Sequence, residues 1–494
     1  MRRSELMQKS QDKLRSRLPL LTFLLLVLQP CLDVLGFGQT DLQLPDALLP
    51  VLRFFCFLVF ILAVVIVSRH KKRFILLAVV MLAYFAGHFW AISRPGVLNL
   101  FEDIKEQLRA LMLLPLVLSF VCAIEENPRV FLALKRGLLA NLLLIGCVML
   151  ISTLTGTDPH TYSGKQTGVL GWFLWPNGQC AILCVLSVIA LTTVCFRFPG
   201  KPLPMLCAGL VCFGMLYSLG TRISFAAIPA IGAALFVCLL LSDRRLFPSA
   251  LSVLLIALLF TALYPLSPMA KSQELTAQNA AVKQERIAAA VAPYGVPADA
   301  RRTDDPRALA AAYRYGLQGL VDRFGLETVR EQYDDSLDQS EIFGSRKMKI
   351  VFNELLIQEN GVPSRLFGLE VSRMRQQTQF YDFYLDDWID MDEVYSVEND
   401  FHGLFFSGGL FLLILIGGTL LYIGLQALFI LIRDPKTVFR PEWVGFAGAF
   451  CFVLVTSVFT SALLRQTNGL VYVAAVLAWL RHLTLSRSAD KAGR

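Results

Sequence analysis

Apolar and polar positions divide this chain into long hydrophobic runs and one long polar stretch. Apolar runs of about 18 residues or more, each enough to cross a ~30 Å hydrocarbon core, fill residues 18–265 and return after 404. They predict about twelve membrane helices, at 18–37, 47–68, 74–93, 108–124, 130–154, 173–196, 203–220, 224–241, 246–265, 404–432, 443–464 and 467–481. The last run is short, and Asn99–Arg109 can be read as an interfacial helix, so counts of eleven and thirteen stay open. From Pro265 to Asp400 no run is long enough to span. There 271–293 and 306–333 read as helices on either side of the turn-like Val296-Pro297-Ala298-Asp299. Residues 345–360 are amphipathic, with Met348, Val351, Phe352, Leu355 and Leu356 at helical spacing. The expected fold is all-α and polytopic: spans 1–9 in residues 1–265, a large, mainly helical loop domain at 266–403, and spans 10–12 with a tail at 404–494.

Composition supports the membrane reading. Of 494 residues, 55% are hydrophobic and only 17% charged, with a mean hydropathy of +0.57; a soluble chain carries charge on about a quarter of its residues. The net charge of +8 does not mark a nucleic-acid binder, because the basic residues sit in short loops between spans and form no phosphate-tracking patch. They follow the positive-inside rule instead. With the N-terminus cytoplasmic, the inside loops receive Arg69 to Arg73, Arg129 with Lys135 and Arg136, Arg197 with Lys201, Arg244 with Arg245, Arg433 with Lys436 and Arg440, and the basic tail from Arg481 to Arg494. The short outside loops keep only Arg94, Lys105, Arg109, Lys165, Arg222 and Arg465. Both termini are then cytoplasmic, and the 266–403 loop faces out. The basic residues Arg2 to Arg17 imitate the start of a signal peptide, but the run that follows closes on Leu28-Gln29-Pro30-Cys31-Leu32-Asp33 with no small-residue cleavage site. The first span is therefore expected to stay uncleaved. All eleven cysteines lie in or beside apolar runs, where cysteine behaves as a small hydrophobe. The polar stretch is expected to fold without disulfides, and no convergent set of thiolates and further ligands marks a metal site.

Candidate chemistry gathers at the predicted outer rim. Arg222, in Gly220-Thr221-Arg222, sits at the junction of two spans. It is either an arginine snorkelling at a helix end or a fork for a phosphate. Arg346, in Gly344-Ser345-Arg346-Lys347, opens a predicted helix, where free N–H donors also favour an anion. Residues Thr155 to Phe173 form a short loop rich in hydroxyls and aromatics, including Tyr162, Lys165 and Trp172. Such a loop suits sugar stacking and equally suits an interfacial aromatic belt. Glu398, Asp400 and His402 sit just before a span; a carboxylate there is a general base if burial raises its pKa, and a histidine there is a second base or a packed ring. Asp386-Asp387-Trp388-Ile389-Asp390, continuing to Asp392 and Glu393, reads as a magnesium-diphosphate site or as a solvated acidic face.

Taken in order, these elements resemble the O-antigen ligase superfamily of lipid-linked glycan transferases and polymerases, in particular its Gram-positive-type members. The resemblance rests on Gln29-Pro30-Cys31-Leu32-Asp33, the Thr155-to-Phe173 loop, Gly220-Thr221-Arg222, Gly344-Ser345-Arg346, and Glu398-Asn399-Asp400-Phe401 with Leu404-Phe405-Phe406-Ser407-Gly408-Gly409. A large outer loop between the ninth and tenth of twelve spans matches as well. The resemblance implies a GT-C-type glycosyltransferase architecture and transfer of a glycan from undecaprenyl pyrophosphate to a glycan or lipid-glycan acceptor, in the plasma membrane, with no cofactor and no obligatory metal. It implies that Arg222 and Arg346 hold the pyrophosphate, that Tyr162, Lys165 and Trp172 face the glycan, and that Glu398 or His402 is the base, with Asp400 orienting it. Many ligases of this kind carry His-Asn where this chain has Glu398-Asn399. Two other readings are a lipid-linked oligosaccharide flippase and a noncatalytic assembly protein. Transporters usually hold ionisable groups near the bilayer midplane, whereas here the candidate residues gather at the rim.

Overall fold

The computed structural model describes residues 2–39, 42–45, 48–375, 379–382, 387–390, 397–436, 440–460 and 463–492. Among the described residues, twenty α-helices and one pair of short strands follow in order. Helices α1 (Arg2–Phe37), α2 (Leu48–Val67), α3 (Lys71–Ser93), α4 (Leu100–Leu111), α5 (Leu113–Glu126), α6 (Arg129–Leu154), α7 (Pro176–Arg197), α8 (Pro202–Leu219), α9 (Arg222–Ser242) and α10 (Phe247–Ala262) form the first block. Helices α11 (Pro268–Val291), α12 (Pro306–Tyr313), α13 (Gln318–Phe324), α14 (Leu326–Tyr333), α15 (Gln339–Ile342), α16 (Ser345–Phe367) and α17 (Val371–Met374) occupy the polar stretch. Strands β1 (Gln379–Asp382) and β2 (Asp387–Asp390) pair antiparallel, Gln379 opposite Asp390, a departure from the all-α expectation. Helices α18 (Asp400–Arg433), α19 (Pro441–Phe459) and α20 (Thr467–Ala492) close the chain.

Among the described residues, eleven helical segments are long and apolar enough to cross a membrane, and each coincides with one of the predicted runs. The twelfth predicted run lies on α20, which does not count among the eleven. The side chains from Leu470 to Leu480 are essentially inaccessible, so this stretch of the helix belongs to the protein interior and meets protein on all sides. The continuous helical prediction over 306–333 breaks into α12, α13 and α14. Gly316 interrupts it because its backbone lies against the carbonyl of Ile342, and Gly325 interrupts it again with φ +84°.

The chain forms two compact units: residues 1–82, 109–272 and 415–494 make the first, and 83–108 with 273–414 the second. In the first unit α1 packs along α6, α7 along α19, and α9 along α10. Two of the polar contacts inside it join different helices: Arg53 Nη2 donates to Asp33 at 2.6 Å, and Asn141 Nδ2 donates to the Leu26 carbonyl at 2.9 Å. The second unit has its own apolar core. Ile287, Leu309, Tyr313, Val329 and Tyr333 join Met348, Val351, Phe352, Leu355 and Leu356 of α16, together with Val397 and Phe406. The amphipathic face predicted for 345–360 is thus the buried one. It holds the start of α16 and the residues around Glu398 in one core.

Candidate functional site

The candidate residues fall into two groups, one in each unit. In the first unit, the Thr155-to-Phe173 loop is built around Asp158. Its carboxylate accepts the backbone N–H groups of His160 at 3.0 Å, Leu170 at 3.1 Å and Gly171 at 2.6 Å. The loop is tied to the end of α8 by Val169 N–H donating to the Ser218 carbonyl at 2.8 Å. Trp172 Nε1 donates to Thr157 Oγ1 at 2.9 Å. Tyr162 pairs with Thr167 in an antiparallel bridge, and the 3-10 turn Ser163–Lys165 follows it. Lys165 Nζ lies 5.8 Å from the centre of the Tyr162 ring and donates to the Ser272 carbonyl at 3.2 Å. Its ammonium is held below the usual lysine range, first by partial desolvation and second by the positive charge of Arg222.

Arg222 is the first residue of α9. Thr221 caps that helix, its hydroxyl accepting Ser224 N–H at 3.1 Å. The Arg222 side chain is exposed and has no hydrogen-bond or ion-pair partner among the described residues. A guanidinium with five donors and no protein acceptor beside a second cation is an arrangement that a phosphate or sugar-phosphate would neutralise. The structure therefore gathers Arg222, Lys165 and Tyr162 in one place, with Trp172 on the same loop.

In the second unit Arg346 Nη2 donates to Glu398 Oε2 at 2.7 Å, with both side chains nearly half exposed. Asn399 caps α18 through its side-chain oxygen, which accepts Phe401 N–H at 2.9 Å and His402 N–H at 3.1 Å. Asp400 is fully buried. Burial, which the sequence reading looks for at Glu398, is thus found two residues later, and the immediate neighbour of Glu398 is a cation. The His402 ring stacks on Phe406, with centroids 5.9 Å apart. Its Nδ1 is buried with no hydrogen-bond partner among the described residues.

The sequence reading overlooks a set of buried polar residues in the second unit. His88 of α3 meets Asp103 of α4 at 2.7 Å, and Tyr84 donates to Gln107 at 2.6 Å. Glu370, 1% exposed, accepts the N–H groups of Leu98 and Asn99. His88 lies inside the predicted span 74–93, and the paired Asp33 and Arg53 lie inside 18–37 and 47–68, so ionisable groups do occur within predicted spans. The available signal was the charged sequence Glu102-Asp103, Lys105-Glu106 at the head of an otherwise apolar run.

Among the described residues no group of three or more His, Cys, Asp or Glu side chains is placed to hold a metal ion. Asp386, Asp392 and Glu393 lie outside the described residues, as do the side chains of Asp387 and Asp390. An apolar cavity of about 170 Å³ in the first unit, lined by Val188, Ile231, Leu235, Trp443 and Cys451 among others, contains none of the candidate residues.

A nearly all-helical chain with eleven membrane-length segments, and with cations and carboxylates at its helix ends, is a multi-span membrane protein. The family model for O-antigen ligase like membrane proteins matches residues 16–483, nearly the whole chain, and the protein belongs to that family. No curated protein matches it significantly.

Proposed function

We propose that this protein is a membrane glycosyltransferase that ligates or polymerises a glycan carried on undecaprenyl pyrophosphate, on the outer face of the cytoplasmic membrane, during assembly of cell-surface polysaccharide. Within the family, the observation that carries this reading is the Arg346–Glu398 ion pair: a candidate pyrophosphate ligand and a candidate base meet at the start of α18. The acceptor hydroxyl oxygen attacks the anomeric carbon of the donor sugar. The bond from that carbon to the pyrophosphate oxygen breaks, and undecaprenyl pyrophosphate leaves with the electron pair. Arg222 and Arg346 offset the charge that develops on the leaving group, while Glu398 or His402 takes the acceptor proton. Exposed ion pairs are worth about 1 kcal/mol or less, so a pyrophosphate displaces Glu398 from Arg346 and frees the carboxylate as it binds. Tyr162 and Trp172 offer ring faces to the sugars, and Lys165 adds a donor beside Arg222.

The test is transfer by the purified protein from an undecaprenyl-pyrophosphate glycan pool of its own host, with EDTA present. The wild type forms product; Arg222→Ala and Arg346→Ala each lose about 100-fold or more in rate, and Glu398→Gln and His402→Ala reveal by comparison which residue is the base. Near-normal product from both arginine variants would remove the pyrophosphate clamp. Absence of transfer with any acceptor, alongside donor movement across liposome membranes, would replace the enzyme with a flippase.

A further inference from the structure

The buried polar residues of α3 and α4 take no part in the transfer step, yet three of them are bonded to backbone at the end of α16, just after it, and in α18. Tyr84 and His88 are four residues apart on α3, Asp103 and Gln107 four apart on α4, so each pair occupies one helix face. They meet as two rungs of an antiparallel ladder, Tyr84 to Gln107 and His88 to Asp103, with the Tyr84 and His88 rings stacked at 5.8 Å. The rungs reach beyond the two helices. His88 Nδ1 lies 2.5 Å from the Phe367 carbonyl, and Asp103 Oδ1 accepts Val371 N–H at 3.0 Å. Gln107 Nε2 donates to the Ser407 carbonyl at 2.8 Å. Both ring nitrogens of His88 thus face oxygen acceptors.

What these contacts hold is a break in regular structure. Gly368 ends α16 with φ +91°, and Gly409 kinks α18 with φ +68°. A kink leaves carbonyls of the preceding turn without their helical partners. Here the Phe406 carbonyl takes Leu369 N–H at 2.8 Å and the Ser407 carbonyl takes Gln107. The ring of His402 rests on Phe406, and among the described residues its buried Nδ1 has no hydrogen bond to orient it. Its placement therefore follows that of Phe406.

We propose that the Tyr84–Gln107 and His88–Asp103 ladder is a positioning device that sets the kink of α18 and thereby aims the 398–402 turn, His402 above all, at the acceptor hydroxyl. This rests on the transferase reading above. Tyr84, His88, Asp103 and Gln107 touch no substrate; they act through Phe367, Leu369, Val371, Phe406 and Ser407. Small displacements of a reacting group cost large factors in rate, so a loosened kink lowers turnover while the donor still binds.

The test is steady-state transfer by the purified full-length protein carrying Gln107→Met, which removes the donor to Ser407, or Tyr84→Phe, which removes only the hydroxyl that orients Gln107. The expected result is a kcat lowered about tenfold or more, with the donor KM within about twofold and the thermal midpoint close to that of the wild type. In a His402→Ala background, the residual rate should fall no further on adding Gln107→Met. If Gln107→Met does not fold, Tyr84→Phe gives the same reading with Gln107 retained. An unchanged kcat in the folded variants overturns the positioning role while leaving the transferase reading intact. Losses that simply track unfolding, or that add in full to His402→Ala, also overturn it. A wild type that transfers nothing overturns the transferase reading first and the positioning role with it.

Discussion

Lys165 illustrates how a single side chain responds to its setting. Its ammonium is disfavoured by partial desolvation and by the neighbouring Arg222 charge. Removing that charge restores part of the preference for the protonated form, so Arg222→Gln should move the titration of Lys165 upward. The pH dependence of amine-selective labelling at Lys165, read by peptide mass spectrometry, checks this; a midpoint that stays put would mean that the two cations do not share a site. An anion bound between them acts in the same direction, and a pyrophosphate analogue should therefore slow the labelling at a fixed alkaline pH. At this scale the sequence was partly readable. Arg222, Lys165 and Tyr162 stand out as rim residues and do assemble, and Arg346 and Glu398 meet across 52 positions of chain. Asp158, which organises the loop through three backbone N–H groups, gave no signal, because a lone aspartate in a loop looks the same whether its oxygens face water or amides.

Among the elements, α16 and α18 matter most for the site, and both depend on glycine. Gly409 has φ +68° and ψ −172°, a region closed to residues with a side chain, and a Cβ there would lie 2.3 Å from the backbone carbon of Leu366. Gly409→Ala should therefore cost about 3 kcal/mol or more, seen as a lower denaturation midpoint of the detergent-solubilised protein. A midpoint equal to that of the wild type would show that the kink does not need glycine. Periodicity placed both helices correctly, since their apolar positions recur at helical spacing over many residues. It could not place the kink, because Gly408-Gly409 inside a long apolar run is equally compatible with a straight helix. Nor could it separate α12, α13 and α14, whose breaks arise where Gly316 must pass close to Ile342, a contact between residues distant in sequence.

For the whole molecule, the eleven membrane-length helices follow directly from hydropathy, while the interior course of α20 does not: an apolar run looks the same whether lipid or protein surrounds it. The charge asymmetry of the loops yields a prediction about sidedness. In a cysteine-free background, single cysteines at Lys271 and Ser345 should react with a membrane-impermeant maleimide in intact cells, and a cysteine at Arg197 should react only after permeabilisation. The reverse pattern would put Arg346 and Glu398 on the wrong side of the membrane for an outer-face transferase.

The ladder between α3 and α4 also has a consequence for biogenesis. Asp103 finds its backbone partner 268 residues further along, His88 finds Phe367 after 279, and Gln107 reaches Ser407 after 300. At roughly 5–20 residues per second, the ribosome needs about 15–60 s to supply them. Through that interval α3 and α4 are in the membrane with acceptor and donor groups that only the last third of the chain can satisfy. A chain that stops before residue 367 lacks all three of these backbone partners, and the four side chains then have only one another to bond. Their hydrogen bonding is therefore complete only once the last third of the chain has been made.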